Sequence, residues 1–112
     1  MASLQDVRQI ALALPEVEEI GHFGAPSFRV GKSAFAVLRE TGRITLRLDP
    51  EDQHNLVALH PSYVVPISGG SRNDRAGREG WSYVDYEACD PVLLANLLRL
   101  AWSVVAPRRL LP

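Results

Sequence analysis

The 112-residue sequence contains a single cysteine, Cys89, so it has no pair of thiols that could form an intrachain disulfide. Because a chain without disulfides is suited to a reducing compartment, we expect a cytoplasmic protein. No apolar run approaches the ~20 residues that a membrane-spanning helix needs. The apolar residues near the start also lack the basic segment that precedes the core of a signal peptide. The sequence therefore predicts one globular domain over residues 1–112 that makes no membrane contact.

The sequence also lacks an excess of charge of either sign. Its formal net charge is −1 at pH 7, whereas proteins that bind duplex DNA are usually basic. The charges are nevertheless unevenly distributed: residues 1–28 carry a net −3, residues 29–48 a net +4, and residues 49–70 a net −3. The basic block suggests a surface that attracts anions. The alternative is a solvated sheet face that acidic helices balance.

Known catalytic and metal-binding patterns are missing as well. The three histidines, His22, His54 and His60, are not spaced so that their side chains would converge on a metal ion. Cys89 precedes Asp90, whose negative charge would raise the thiol pKa and disfavour a nucleophilic role. The glycines and arginines of the 68–80 segment lack the Gly-Lys-Ser/Thr ending of a phosphate-binding loop. We therefore predict no catalytic residue, no metal and no cofactor; an enzyme would require His22 or His60 beside a carboxylate in a closed pocket.

What is present is a clear order of helices and strands. Ser3 and Asp6 resemble a capping box at the start of a helix that Pro15 ends. Asp-Pro pairs at Asp49 and Asp90 predict the starts of two further helices. An acidic loop is expected after the first helix, at Glu16, Glu18 and Glu19. Strands are predicted at Ser27–Val30, Ala34–Arg39, Arg43–Leu48, Tyr63–Ile67 and Trp81–Glu87. The order α-β-β-β-α-β-β-α predicts a two-layer α+β domain with an antiparallel sheet.

The hairpin turns predict which residues share each face of this sheet. A three-residue loop at Glu40-Thr41-Gly42 would place Arg39 opposite Arg43. One face, assigned to the core, then carries Ala34, Ala36, Leu38, Ile44, Leu46 and Leu48. The other face carries Phe35, Val37, Arg39, Arg43, Thr45 and Arg47. A two-residue turn at Gly31-Lys32 would pair Phe28 with Phe35 and add Phe28 and Val30 to this second face.

The second face is the predicted functional surface, because three arginines lie close together beside aromatic rings and would repel each other unless something screens them. The candidate binding residues are Phe28, Lys32, Phe35, Arg39, Arg43, Arg47 and Trp81. An unknown protein, an anionic ligand or a second copy of the chain could cover this face, so both a monomer and a homodimer remain open. Alternatively, the 61–80 segment or an acidic segment of the same chain covers it. A nucleic-acid binder would add Arg72, Arg75 and Arg78 as phosphate contacts.

Several motifs occur in an order that resembles the MmcQ/YjbR family of small, largely uncharacterised bacterial proteins. The motifs are ALALPEVEE, FGAPSFRVGKSAFAVL, ITLRLDPED, LVALHPSYV and GWSYVDYEACDPVLLANLLRLAWSVVAPRRLL. In this resemblance the family's lysine after the hairpin glycine corresponds to Lys32, and its late tryptophan to Trp81. The resemblance implies a secretion-chaperone-like α+β fold, and a DNA-binding role has been proposed for some members. We expect a non-enzymatic binding or adaptor domain, with nucleic-acid binding as the alternative.

Overall fold

A computed structural model describes residues 3–22, 25–40, 42–66 and 80–110. The protein forms a six-stranded antiparallel sheet of strand order β1-β2-β3-β4-β6-β5. In chain order the elements are α1 (Leu4–Ala13), β1 (Val17–His22), β2 (Ala25–Val30), β3 (Ser33–Glu40), β4 (Arg43–Arg47), α2 (Pro50–Leu59), β5 (Val64–Pro66), β6 (Trp81–Asp85), a 3₁₀ turn (Tyr86–Ala88), α3 (Pro91–Val105) and a second 3₁₀ turn (Arg108–Leu110). The predicted α+β class is confirmed.

The helices begin at the capping residues that the sequence indicated. The Ser3 hydroxyl accepts the Asp6 backbone N–H at 3.2 Å, and the Asp6 carboxylate accepts the Ser3 N–H at 2.8 Å, which completes the capping box of α1. The carboxylates of Asp49 and Asp90 likewise accept backbone N–H groups in the first turns of α2 and α3. A proline follows each of these two caps and fits the first helical position, where no backbone donor is needed.

The prediction of an acidic loop after α1 holds for Glu16, which lies in the turn before β1, but is wrong for Glu18 and Glu19, which lie in edge strand β1. Strand β1 pairs along its whole length with β2. Glu19 faces the helices and lies 3.2 Å from the Arg8 guanidinium of α1. Just before the strand, Glu16 bonds to Arg109, and this hydrogen bond holds the pKa of the Glu16 carboxyl below its ordinary value. Arginines distant in sequence thus stabilise acidic residues that a local pattern assigns to a loop.

The core lies between one side of the sheet and the helices α1 and α3. Trp102 of α3 is almost completely buried, and its indole N–H donates to the carbonyl oxygen of Pro15 at 3.0 Å. Helix α2 lies on the same side, since its buried Gln53 amide donates to the core-facing hydroxyl of Ser82 at 2.9 Å. The fully buried larger side chains of this core include Val7, Phe28, Phe35, Ile44, Leu46, Val64, Val84, Leu94, Leu97 and Leu98.

Two irregularities change the predicted pairing of strands β2, β3 and β4. The β2–β3 turn pairs Val30 with Ser33 as predicted, but a bulge then places Phe28 opposite Ala36. Both Phe28 and Phe35 are therefore buried in the core, and their predicted placement on the second face is wrong. The β3–β4 turn is one residue shorter than predicted, since Glu40 pairs with Arg43, and a second irregularity restores the predicted pairing of Ala36 with Leu46. A strand register predicted by counting residues from a turn assumes that residue pairs follow each other without interruption, and a bulge breaks this assumption.

Candidate functional site

The side of the sheet opposite helices α1, α2 and α3, here called the distal face, carries one residue from every strand in a continuous row. The register places Ile20, Ser27, Val37, Thr45, Tyr83 and Val65 in this row, from β1 to β5. Its three central residues are nearly inaccessible, whereas Ile20 and Val65 at its ends are exposed. The centre of the distal face therefore consists of the buried residues Ser27, Val37 and Thr45. The arginine and aromatic side chains of this face lie around them.

The distinctive part of the distal face is an arginine–aromatic patch formed by Arg43 and Arg47 of β4 with Trp81 and Tyr83 of β6. The register pairs Arg47 with Trp81, and Arg43 with Asp85 at the other end of the strands. The Arg43 guanidinium carbon lies 4.0 Å from the centroid of the Tyr83 ring. Such a cation–π contact is worth about 0.5–1 kcal/mol at an exposed site. It therefore orients Arg43 across the patch.

Arg47 has an unsatisfied donor within this patch. Its side chain is half-buried, and its Nε is inaccessible to solvent with no hydrogen-bond partner among the described residues. Leaving a buried donor unpaired costs about 1–3 kcal/mol, and more for a charged group. An external acceptor of negative charge would recover that free energy only after the Arg47 side chain turns, because the Nε is inaccessible in this conformation.

A polar network fixes the start of β6 and hence the position of Trp81. The Gln53 amide of α2 donates to the Trp81 carbonyl oxygen at 3.2 Å as well as to Ser82. The Ser82 hydroxyl in turn donates to the Gly80 carbonyl at 3.3 Å. The backbone N–H of Leu48, just past the end of β4, donates to the same Gly80 carbonyl at 2.9 Å. These bonds hold Trp81 opposite Arg47.

The structure brings together part of the predicted site. Arg43, Arg47 and Trp81 share the patch, and exposed Lys32 lies in the turn at the end of the sheet where β4 ends and β6 begins. Phe28 and Phe35 are separated from them by the sheet. The side chain of Arg39 and the whole of Arg72, Arg75 and Arg78 lie outside the described residues.

Two distal-face residues were missed at the sequence level. Tyr83 follows Trp81 by two residues in a predicted strand, so alternation alone places both rings on one face. Arg29 belongs to the same face through the register of β2, where its Nε donates to the Ser27 hydroxyl at 3.1 Å. The sequence pattern was therefore sufficient to place Tyr83 on this face. The placement of Arg29 could not be predicted, because it depends on the bulge between β2 and β3.

The other chemistry-bearing side chains lie apart from the patch. The Tyr63 hydroxyl and the His60 Nδ1 are 2.7 Å apart, and the two rings stack with centroids 5.0 Å apart. His54 is exposed, and the side chain of His22 lies outside the described residues. Within residues 3–22, 25–40, 42–66 and 80–110, no three His, Cys, Asp or Glu side chains form a group that could hold a metal ion. No helix in these ranges has the length and apolar character to cross a bilayer.

Cys89 is buried, and the burial, with Asp85 and Asp90 nearby, raises the pKa of its thiol to about 11. We expect the folded protein to react very slowly with a thiol-specific disulfide reagent at pH 8, because the thiolate is the nucleophile and is scarce. Unfolding in urea should restore rapid, stoichiometric labelling. Stoichiometric labelling of the folded protein within seconds at pH 8 would contradict this assignment.

The same shift predicts a pH dependence of stability. Because the folded-state pKa of Cys89 lies above its ordinary value of 9.0, the contribution of the neutral thiol is fully present below pH 9. It is lost as the pH rises through about 11. A Cys89→Ala variant should lack this component of the alkaline loss of stability, which urea titrations at pH 8 and pH 10.5 would measure.

Comparison with known proteins agrees with this fold. The chain superimposes on a crystal structure of Deinococcus radiodurans protein DR2400, described as a DUF419 domain, with a TM-score of 0.75 and 24% sequence identity. The match covers 97% of this chain and 82% of the other, and it shows a shared fold. No curated protein matches the sequence significantly. A family model described as YjbR matches residues 12–104, in agreement with the resemblance seen in the sequence motifs, and the chain therefore belongs to the YjbR family.

Proposed function

We propose that this chain is a non-enzymatic, cytoplasmic binding domain that holds an acidic protein segment against the arginine–aromatic patch. The observation that carries the proposal is Arg47, whose buried Nε has no acceptor among the described residues while its strand neighbour Arg43 and the opposing Trp81 lie in the same patch. A carboxylate accepts from a guanidinium through two parallel hydrogen bonds, so one acidic side chain would satisfy the Nε together with a terminal nitrogen once the Arg47 side chain turns outward.

Features of the patch favour an acidic protein segment over nucleic acid. The Arg43 guanidinium covers one side of the Tyr83 ring, which leaves less of the ring for a base to stack upon. Asp85 lies opposite Arg43 and would repel a continuous line of phosphates. Val65, which neighbours Tyr83 in the row, is 48% exposed and offers an apolar contact at the margin. Separate carboxylates with apolar residues between them fit this mixture better than a phosphate backbone.

The environments of the reactive side chains favour binding over catalysis. The Cys89 thiol is kept neutral by its raised pKa, which removes the nucleophilic form at neutral pH. The Nδ1 of His60 is engaged by the Tyr63 hydroxyl, not by a carboxylate that would orient it as a base. A single buried cysteine also suits the reducing cytoplasm.

The proposal predicts a loss of binding in an Arg47→Ala variant. The probe is a fluorescein-labelled octapeptide of alternating glutamate and leucine, titrated in 50 mM salt and followed by anisotropy. Because a hydrogen bond to a charged group contributes about 1.5–3 kcal/mol, the variant should bind roughly tenfold more weakly or worse. Amide resonances of residues 43–47 and 81–83 should shift in the wild-type protein.

The matched control is Arg99→Ala, which removes the same charge from an exposed position on α3, on the other side of the sheet. This control should bind within twofold of the wild type. Equal weakening by both variants would mean that only net charge matters and would refute a site at Arg47. Tighter binding of a 20-nucleotide single strand or duplex to the same residues, falling steeply with salt, would instead support nucleic-acid binding.

A further inference from the structure

The two edges of the sheet differ in how they are protected. Edge strand β5 has three residues and ends at Pro66, which has no backbone N–H to donate. Edge strand β1 has six residues, Val17–His22, without a proline, and among the described residues it pairs only with β2. Alternate N–H and C=O groups of β1 therefore point outward along a length sufficient for another strand.

The side chains of β1 define which strand would fit that edge. Glu18 and Ile20 alternate on the distal face and are both exposed. Glu18 lies opposite Arg29 of β2 in the register but forms no ion pair among the described residues, unlike Glu19, which lies beside Arg8. On the helix-facing side, exposed Gly21 leaves space, since a Cβ built there would meet no atom within 4 Å.

We infer that β1 is a docking edge for an extended basic segment of another polypeptide, which would add a seventh strand to the sheet. A lysine or arginine of that segment would lie opposite Glu18, and an apolar residue opposite Ile20, because opposed residues share a face. A bulky side chain opposite Gly21 would cover the space beside it. Main-chain hydrogen bonds supply the affinity of such strand addition and the alternating side chains supply its selectivity.

Two of the antiparallel registers open to a second copy are disfavoured by the acidic residues of the edge. Two β1 strands that paired antiparallel about Glu18 or about Glu19 would place identical carboxylates directly opposite each other, which is destabilising. The edge is also separate from the arginine–aromatic patch, which lies on β4 and β6, so the two binding sites can be tested independently.

The test uses the octapeptide Lys-Phe-Val-Thr-Arg-Phe-Ile-Thr, added to the full chain at low salt. Paired antiparallel with its arginine opposite Glu18, it places a valine opposite Ile20 and a phenylalanine opposite Gly21, because residues two apart in a strand share a face. Amide resonances of residues 17–22 should shift, and their outward-pointing amides should exchange more slowly with solvent. The same peptide N-methylated at every backbone nitrogen keeps its charge and side chains but cannot donate hydrogen bonds. It should bind at least about tenfold more weakly.

Two charge-reversal variants distinguish binding at the β1 edge from non-specific electrostatic attraction of the basic peptide. Glu18→Lys should weaken binding about fivefold or more, since it replaces an attractive pair with a repulsive one. Glu51→Lys, an equal change at an exposed position on α2, should have less than a twofold effect. Undiminished binding of the N-methylated peptide, resonance shifts confined to other strands, or no binding at all would overturn the inference. Concentration-dependent dimerisation through β1, detected by sedimentation, would overturn it in favour of a second copy.

Discussion

Replacing Gly80 with alanine should lower the free energy of unfolding by about 3 kcal/mol or more, at the upper end of single substitutions. Gly80 has φ +100°, a region that residues with a Cβ rarely occupy. A Cβ built on Gly80 would lie 1.6 Å from the carbonyl oxygen of Leu48, which is backbone and cannot swing aside. The loss of free energy, measured by urea denaturation, combines this collision with the strain at positive φ.

Gly31→Ala is the matched control, because Gly31 also has a positive φ, +62°, but a Cβ there would meet nothing within 4 Å. Its cost should therefore be only the conformational term, about 1–2 kcal/mol. An equal cost for the two variants would contradict the close approach of the chain at Gly80. Because the Gly80 carbonyl accepts from Leu48 and Ser82, Gly80→Ala should also shift the amide resonances of Trp81 and Arg47 in any population that remains folded.

The features that could be predicted from the sequence depend on neighbouring residues. The three helix starts follow from Ser3, Asp49 and Asp90, each of which caps the backbone within three residues of its own position. Strand β4 was predicted because apolar and polar residues alternate along it. These interactions need no information from distant parts of the chain, so the order of most elements and the α+β class could be read directly.

The features that could not be predicted depend on contacts between distant residues. Strand β1 was assigned to a loop because its acidic residues depress strand propensity, yet Glu19 and the adjoining Glu16 are paired with Arg8 and Arg109, which lie 11 and 93 residues away. The bulge beside Phe35 arises where the ring packs into the core, which no turn length reveals.

The candidate site shows the same division. Arg43 and Arg47 were expected on one face because alternation within β4 fixes their side, whereas Trp81 was placed at the margin of that face. The structure brings all three together. The pairing of Arg47 on β4 with Trp81 on β6 could not be predicted, because residues 67–79 before β6 carry no periodic pattern that would set the register. The aromatic partner of Arg43 is Tyr83 of the neighbouring strand β6, not Phe28 of β2 or Phe35 of β3.

The placement of Phe35 in the core has the second large expected effect. Phe35→Ala should lower the free energy of unfolding by about 3–5 kcal/mol, because the ring is completely buried and its removal leaves a cavity. Phe35→Leu should retain most of the stability, since it fills much of the same volume. Urea denaturation of the three proteins would measure both differences.

Val65→Ala is the control for this experiment, since Val65 is a distal-face residue that is 48% exposed. Its truncation should change the free energy of unfolding by no more than about 0.5 kcal/mol. If Phe35 instead lay on the distal face, its truncation would have a similarly small effect on stability but would weaken binding of the acidic octapeptide. We therefore expect Phe35→Ala to lower the free energy of unfolding and, in the folded fraction, to leave the affinity of the arginine–aromatic patch unchanged. Arg47→Ala should instead weaken that affinity without lowering the free energy of unfolding.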